Sequence, residues 1–230
     1  FLRGKFPLYN KYYIQNIINE MTIQEKASLL TKTFDNLWKD FVLFHKSKEY
    51  CHQVFDIFSK GIIKANPNYF KNEEELYNLK VGPDRRDGAD IIPTSDIMCN
   101  APVTKKSSHI GIHADAPDKV VSAILYMKDK DDDAGGDLVL HYWRINLPLF
   151  LKKIILAKRK NFLNNIIRKF QLLFIGERKK IKYPANTLVM YIDSIDGLHS
   201  VTAREVTKNF RKICFLCLDY KKPFYNPYSV

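Results

Sequence analysis

The sequence predicts an α+β protein that is mainly β, with a double-sheet jelly roll or barrel as its core. Residues 1–95 carry apolar side chains at helical spacing, which predicts N-terminal helices that support the sheets. Residues 96–146 and 181–220 contain short apolar runs separated by turn residues, as in jelly rolls. Residues 147–180 interrupt the strands with a basic helical insert. A chain of 230 residues fits a single domain.

The helical support is predicted from a cap and an apolar stripe. Thr22 followed by Glu25 is a capping-box pattern that marks a helix start. Seven later apolar residues recur at helical spacing, which predicts one long amphipathic helix, or two in succession, ending before Pro67. These residues are Leu37, Phe41, Phe44, Cys51, Phe55, Phe58 and Ile62.

The strands are predicted from apolar runs bounded by glycine, proline and asparagine. A buried strand is expected at residues 120–127, a second at 137–142 after a Gly-Gly pair, and a third at 187–192 after a proline turn. Residues 199–203 and 211–218 are expected to form a hairpin.

Most of the positive charge lies in the insert. The whole chain has a net charge of +12, and residues 147–180 hold ten basic residues and one acidic residue, Glu177. Apolar residues at helical spacing accompany them, so an amphipathic helix is expected. Its expected roles are a lid or protein-partner contact first and contact with an anionic membrane surface second. Few aromatic residues interleave the charges, which argues against nucleic acid as a partner.

The four cysteines show no disulfide framework. Cys214 and Cys217 form a C-x-x-C within an apolar run, which favours core thiols over a redox or zinc pair. The cysteine usage predicts a reducing, cytoplasmic location, and no apolar stretch predicts a transmembrane helix.

One set of residues indicates metal chemistry. His113 and Asp115 are separated by one residue, so on a strand their side chains would point to the same side. This pair alone is weak, but His199 lies on a later predicted strand. Two histidines and one carboxylate form the facial triad of non-heme iron(II) oxygenases.

Two stretches resemble the iron(II)- and 2-oxoglutarate-dependent oxygenases of the prolyl-hydroxylase-like branch, whose core is a double-stranded β-helix. The stretches are HIGIHADAPDKVVSAILYMKDKDDDAGGDLVLHY (109–142) and KYPANTLVMYIDSIDGLHSVTAREVTKNFRK (182–212).

This resemblance implies a role for each site residue. His113, Asp115 and His199 would bind iron(II), and Arg211 would bind the distal carboxylate of 2-oxoglutarate. Arg204 is the competing arginine. Tyr126 matches a family tyrosine that hydrogen-bonds the same carboxylate, although an ordinary core tyrosine explains it equally well.

The implied activity is that of a dioxygenase that uses O2 to hydroxylate a C–H bond of a small-molecule, peptide or glycan substrate, with succinate and CO2 as co-products. Two alternatives stay open. One is a non-catalytic jelly-roll module that binds metal or senses, and the other is a cupin-like enzyme that does not use 2-oxoglutarate.

Overall fold

The computed structural model describes residues 36–100, 102–107, 109–156, 171–183 and 185–225, with the side chain of Cys99 left out. The helix predicted at Thr22 and the central part of the insert, 157–170, lie outside these ranges.

The described helices precede and interrupt the sheets. They are α1 (Asn36–His45), α2 (Lys48–Ala65), α3 (Glu73–Tyr77), a 3-10 helix (Arg85–Asp87) and α4 (Leu149–Leu156). No helix among them combines the length and the apolar character that crossing a bilayer requires.

The strands follow in chain order. They are β1 (Ile91–Asn100), β2 (Ile110–His113), β3 (Lys119–Met127), β4 (Leu138–Trp143), β5 (Ile175–Ile181), β6 (Ala185–Ile192), β7 (His199–Val201) and β8 (Arg211–Tyr220).

The apolar stripe before Pro67 forms two helices rather than one. Ser47 is in an extended conformation, and its hydroxyl accepts a hydrogen bond from the Tyr50 amide at 3.1 Å. Such a cap satisfies an amide that the new helix would otherwise leave unpaired, so the chain restarts as α2. Helix α2 then ends at Ala65, as predicted.

All strand pairings within the two sheets are antiparallel. One sheet has the order β1-β8-β3-β6, and the other has the order β2-β7-β4-β5. The prediction of a mainly β protein with helical support is confirmed. Strand β1 starts at Ile91, a few residues before the boundary predicted at residue 96.

The predicted hairpin of residues 199–203 and 211–218 is wrong. Strand β7 pairs with β2 and β4 in one sheet, whereas β8 pairs with β1 and β3 in the other. The chain between them crosses from sheet to sheet. Strand periodicity is a local signal and does not identify the partner of a strand, which is why the sequence suggested the nearest neighbour.

The insert is only partly helical. Helix α4 covers residues 149–156, but β5 occupies residues 175–181, where a helix was expected. Pairing with β4 decides this conformation. Strand β5 is an edge strand with exposed Glu177, Arg178, Lys179 and Lys180. Charged side chains on an edge discourage pairing with another chain, so this part of the basic charge has a structural explanation.

The core has two layers that alternate along β8. Cys214 and Leu216 pack in the layer that includes α1 and α2, whereas Ile213 and Phe215 pack in the layer that includes residues of both sheets. Strand alternation therefore places Arg211 on the inter-sheet side as well. Cys214 and Cys217 are buried free thiols, which confirms their prediction as core residues.

Candidate metal centre

The two predicted histidine ligands are direct neighbours across two strands. His113 ends β2 and His199 begins β7, and the two residues are register partners in the same sheet. Their ring centroids are 4.3 Å apart. Residues 86 positions apart in the sequence are thus brought together by backbone pairing alone.

Asp115 reaches the histidines from a loop rather than from a strand. Strand β2 ends at His113, so the expected same-side arrangement of His113 and Asp115 on one strand is wrong. The turn towards β3 instead carries the carboxylate back. Asp115 Oδ1 lies 3.5 Å from His199 Nε2 and 3.9 Å from His113 Nε2.

These three residues form a group that could hold a metal ion. One ligand atom from each residue lies within 4.8 Å of those of the other two. Among the described residues, no other group of histidine, cysteine, aspartate or glutamate meets this geometry. The structure thus brings together the three residues that the sequence suggested.

Backbone carbonyls orient both imidazoles. His113 Nδ1 lies 2.8 Å from the Gly111 carbonyl, and His199 Nδ1 lies 3.1 Å from the Gly197 carbonyl. Each Nδ1–H can donate to its carbonyl, which leaves Nε2 as the metal-binding nitrogen. Such contacts fix ring orientation and raise the basicity of the ligand.

The second oxygen of Asp115 is held by two hydroxyl groups. Ser122 donates to Asp115 Oδ2 at 3.0 Å, and Tyr191 donates to the same oxygen at 3.4 Å. The Tyr191 hydroxyl also lies 3.4 Å from His199 Nε2. Neither hydroxyl residue was predicted as part of the site.

Without a metal, Asp115 and His199 stabilise each other's charged forms. Burial acts to raise the pKa of Asp115, but the bond and charge of His199, with help from Lys119 and Ser122, lower it to about 2. Burial acts to lower the pKa of His199, and Asp115 more than reverses this effect. A metal cation would take the place of the proton on His199.

Asp193 adds a further buried carboxyl near this pair. Its exposed fraction is 2%, and neither oxygen has a hydrogen-bond partner in the described chain. Burial, and then the negative charge of Asp115, raise its pKa to about 7. A nearby divalent cation would favour the ionised form of such a group.

The donor set fits iron(II). Two imidazole nitrogens and one carboxylate oxygen leave open coordination positions, whereas closed structural zinc sites usually use cysteine.

Arg211 is a buried cation in the layer of the core between the two sheets. Its exposed fraction is 6%, and its Nε has no hydrogen-bond partner. No carboxylate of the described residues lies within ion-pair distance of it, and burial lowers its pKa. Its guanidinium carbon lies 4.8 Å from the ring centroid of Tyr183 and 5.7 Å from that of Tyr126.

Arg204, the competing candidate for binding the carboxylate, already has partners within the chain. Arg204 Nη2 lies 3.8 Å from Asp132 Oδ2 and donates to the Asn209 carbonyl at 3.0 Å. Its positive charge is therefore neutralised within the chain. Arg211 was preferred because an even spacing from His199 would place both side chains on the same face of a hairpin. That hairpin does not form, yet both side chains face the space between the sheets.

The residues that the sequence analysis missed share one signal. Ser122 and Tyr191 are polar residues within apolar strand runs, and Asp193 directly follows such a run. A polar group at a position that alternation assigns to the interior indicates a partner there. The identity of that partner depends on pairing between distant strands.

No protein-family model matches this sequence. No curated protein matches it either. Similar solved structures include a prolyl 4-hydroxylase from Phytophthora capsici, at 14% identity and a TM-score of 0.39, covering 84% of this chain and 45% of that chain. This chain therefore spans less than half of that structure's length.

Two further structures show how broad this similarity is. HygX from Streptomyces hygroscopicus with iron bound matches at 10% identity and a TM-score of 0.26, covering 56% of each chain. A structure of the disulfide-linked pili of Bacillus endospore appendages matches at 10% identity and a TM-score of 0.26, covering 57% of this chain and 88% of that chain. These similarities do not indicate a function for this chain.

Proposed function

We propose that this protein is an iron(II)- and 2-oxoglutarate-dependent dioxygenase that hydroxylates a C–H bond and yields succinate and CO2 as co-products. The observation that carries the proposal is the convergence of His113, Asp115 and His199 on one point, with the unneutralised Arg211 in the same inter-sheet layer.

The two antiparallel sheets support this proposal as the two halves of a jelly roll. Their strands alternate along the chain except at the paired neighbours β4 and β5, with β1, β3, β6 and β8 in one sheet and β2, β4, β5 and β7 in the other. A jelly roll forms when successive strands cross between two facing sheets in this manner. We therefore propose the double-stranded β-helix as the fold.

The triad would hold the metal through His113 Nε2, His199 Nε2 and Asp115 Oδ1. Bound iron(II) would supply the activation of O2, coupled to the oxidative decarboxylation of 2-oxoglutarate. The protein contributes the orientation of the three ligands in a partly buried site. His199 has an exposed fraction of only 5%, whereas the side chains of His113 and Asp115 are 23% and 24% exposed.

Arg211 would bind the distal carboxylate of 2-oxoglutarate. A guanidinium can donate two parallel hydrogen bonds to a carboxylate, and burial strengthens this pair because water does not compete. Tyr126 and Tyr183 flank the guanidinium, and the Tyr126 hydroxyl is proposed to donate to the same carboxylate. An anionic ligand would also remove the unfavourable state of an uncompensated buried cation.

The decisive experiment is an anaerobic titration of the iron(II)-loaded protein with 2-oxoglutarate, followed by visible absorption. The proposal predicts a weak charge-transfer band in the wild type that is lost in the His199→Ala variant. A His141→Ala variant is the matched control, because His141 bonds Ser200 at 2.8 Å and lies outside the triad. It should retain the band.

Other outcomes point to other functions. Iron binding without a band would favour a non-catalytic metal-binding module and would overturn the oxygenase proposal. O2-dependent turnover that is unaffected by adding or removing 2-oxoglutarate would favour a cupin-like enzyme.

A further inference from the structure

We propose that Ser122 and Tyr191 are positioning residues that restrict Asp115 to binding metal through one oxygen. The inference rests on the proposed metal centre and concerns how many coordination positions that centre leaves open.

The two oxygens of Asp115 have different surroundings. Oδ1 faces the histidines, at 3.5 Å from His199 Nε2 and 3.9 Å from His113 Nε2. Oδ2 accepts hydrogen bonds from Ser122 at 3.0 Å and from Tyr191 at 3.4 Å. The carboxylate is therefore already divided into a metal-facing oxygen and a protein-facing oxygen.

The two donors act as one unit. Ser122 on β3 and Tyr191 on β6 are direct register partners, so their side chains lie next to each other on the same face of the sheet. Side chains of directly opposed strand residues have Cβ atoms about 5 Å apart. Backbone pairing thus places both hydroxyls where a single carboxylate oxygen can accept from them.

The Tyr191 hydroxyl donates to Asp115 whether His199 Nε2 carries a proton or a metal. Its hydroxyl lies 3.4 Å from both Asp115 Oδ2 and His199 Nε2. A proton on His199 Nε2 and a metal bound there alike leave that nitrogen unable to accept a hydrogen bond. Asp115 Oδ2 is then the remaining acceptor of these two.

One-oxygen binding has a chemical consequence. An octahedral ion held by two imidazoles and one carboxylate oxygen keeps three open positions, enough for a two-atom chelating ligand and O2. A carboxylate that chelated through both oxygens would use one of these positions. The hydroxyl pair therefore preserves the coordination that the proposed activity requires.

The test uses cobalt(II) alone as the probe, with dissociation constants and d–d spectra measured for each protein. We expect Tyr191→Phe and Ser122→Ala each to weaken cobalt binding about 10-fold, as removal of groups that orient a metal ligand commonly does. In the double variant, the d–d spectrum should change because Asp115 Oδ2 is free to coordinate. The two effects should also be non-additive, because both hydroxyls bind one oxygen.

Two further variants separate positioning from general packing. Tyr50→Phe removes a buried tyrosine hydroxyl that donates to the Leu216 carbonyl outside the site, and it should leave cobalt affinity and spectrum unchanged. Ser122→Thr keeps the hydroxyl and should bind cobalt more tightly than Ser122→Ala. If Thr and Ala weaken binding equally, the hydroxyl is not responsible and the inference fails.

The outcomes for the site and for the positioning pair are distinguishable. A wild-type protein that does not bind cobalt through the triad would contradict the metal centre itself. A wild type that binds cobalt, with single and double variants that match it in affinity and spectrum, would leave the metal centre intact and overturn the role of Ser122 and Tyr191.

Discussion

Arg211 and Arg204 are both buried but differ in what balances their charge. Arg204 lies 3.8 Å from the buried Asp132, whereas no described carboxylate pairs with Arg211. An unpaired buried cation lowers the stability of a protein unless a ligand supplies the missing anion. The difference gives the two arginines opposite expected behaviour on substitution.

Replacing Arg211 by Met should raise the dissociation constant for 2-oxoglutarate about 30-fold or more, since truncating one partner of a buried charged pair costs about 2–5 kcal/mol. The free energy of unfolding without ligand should not fall, because an uncompensated charge is removed. Calorimetric titration and urea unfolding measure the two quantities.

Arg204→Met is the comparison for this variant. It should lower the free energy of unfolding, because Asp132 is left buried without its partner, and it should keep the affinity for 2-oxoglutarate. An Arg211→Met protein that binds 2-oxoglutarate as tightly as the wild type would contradict the assignment of the carboxylate site.

At the scale of elements, the Gly135-Gly136 turn before β4 shapes the surroundings of Arg211. Gly136 has a φ of +76°, which L side chains rarely adopt, and a Cβ there would overlap Arg211 Nη1. The turn therefore requires glycine for two reasons, one from the backbone and one from the guanidinium.

Gly136→Ala should lower both stability and 2-oxoglutarate affinity. The matched control is Gly88→Ala, where φ is +71° and the nearest side-chain atom, Lys80 Nζ, is 3.5 Å from the added Cβ. Both variants should lose about 1–2 kcal/mol through backbone strain. Only Gly136→Ala should lose more than this and bind 2-oxoglutarate more weakly. Equal losses in the two variants, by urea unfolding, would show that the contact with Arg211 is unimportant.

In the molecule as a whole, several charged side chains that are buried or partly buried lie near the candidate metal site. Asp115, Asp193 and Asp219 share this region with two basic groups. The Lys119 ammonium lies 3.7 Å from Asp219 Oδ1, and His199 pairs with Asp115. Burial raises the pKa of both Asp193 and Asp219, whereas His199 lowers the pKa of Asp115. The free energy of unfolding of the metal-free protein should therefore depend on pH.

Asp193 determines whether the stability rises or falls with pH. Its pKa is raised from 3.8 to about 7 on folding, so below pH 3.8 both states are protonated and it has no effect. Between these values the unfolded chain loses the proton while the folded chain keeps it. Stability therefore falls as the pH rises to about 7, and the loss is complete above that value.

The Asp193→Asn variant should lack this part of the pH dependence. From pH 5 to pH 8, metal-free wild type should lose roughly 1–3 kcal/mol more unfolding free energy than the variant. Urea unfolding at both values measures the difference, with the exposed Asp40→Asn as control. If the unfolding free energies of wild type and Asp193→Asn change equally between pH 5 and pH 8, Asp193 does not cause this pH dependence.

The local features of this protein can be predicted from its sequence. Turn residues and short apolar runs located β3, β4, β6, β7 and β8, because these signals depend on neighbours along the chain. It also supplied His113, Asp115 and His199 as a candidate ligand set, since imidazole and carboxylate are ligand types that suit iron(II).

The features that depend on residues distant in the chain are seen only in the folded structure. It placed β7 and β8 in different sheets, turned residues 175–181 into an edge strand, and carried Asp115 to the histidines from a loop. It also separated the neutralised Arg204 from the unneutralised Arg211. Strand pairing and burial are set by contacts between residues far apart in the chain, and periodicity contains no information about those contacts.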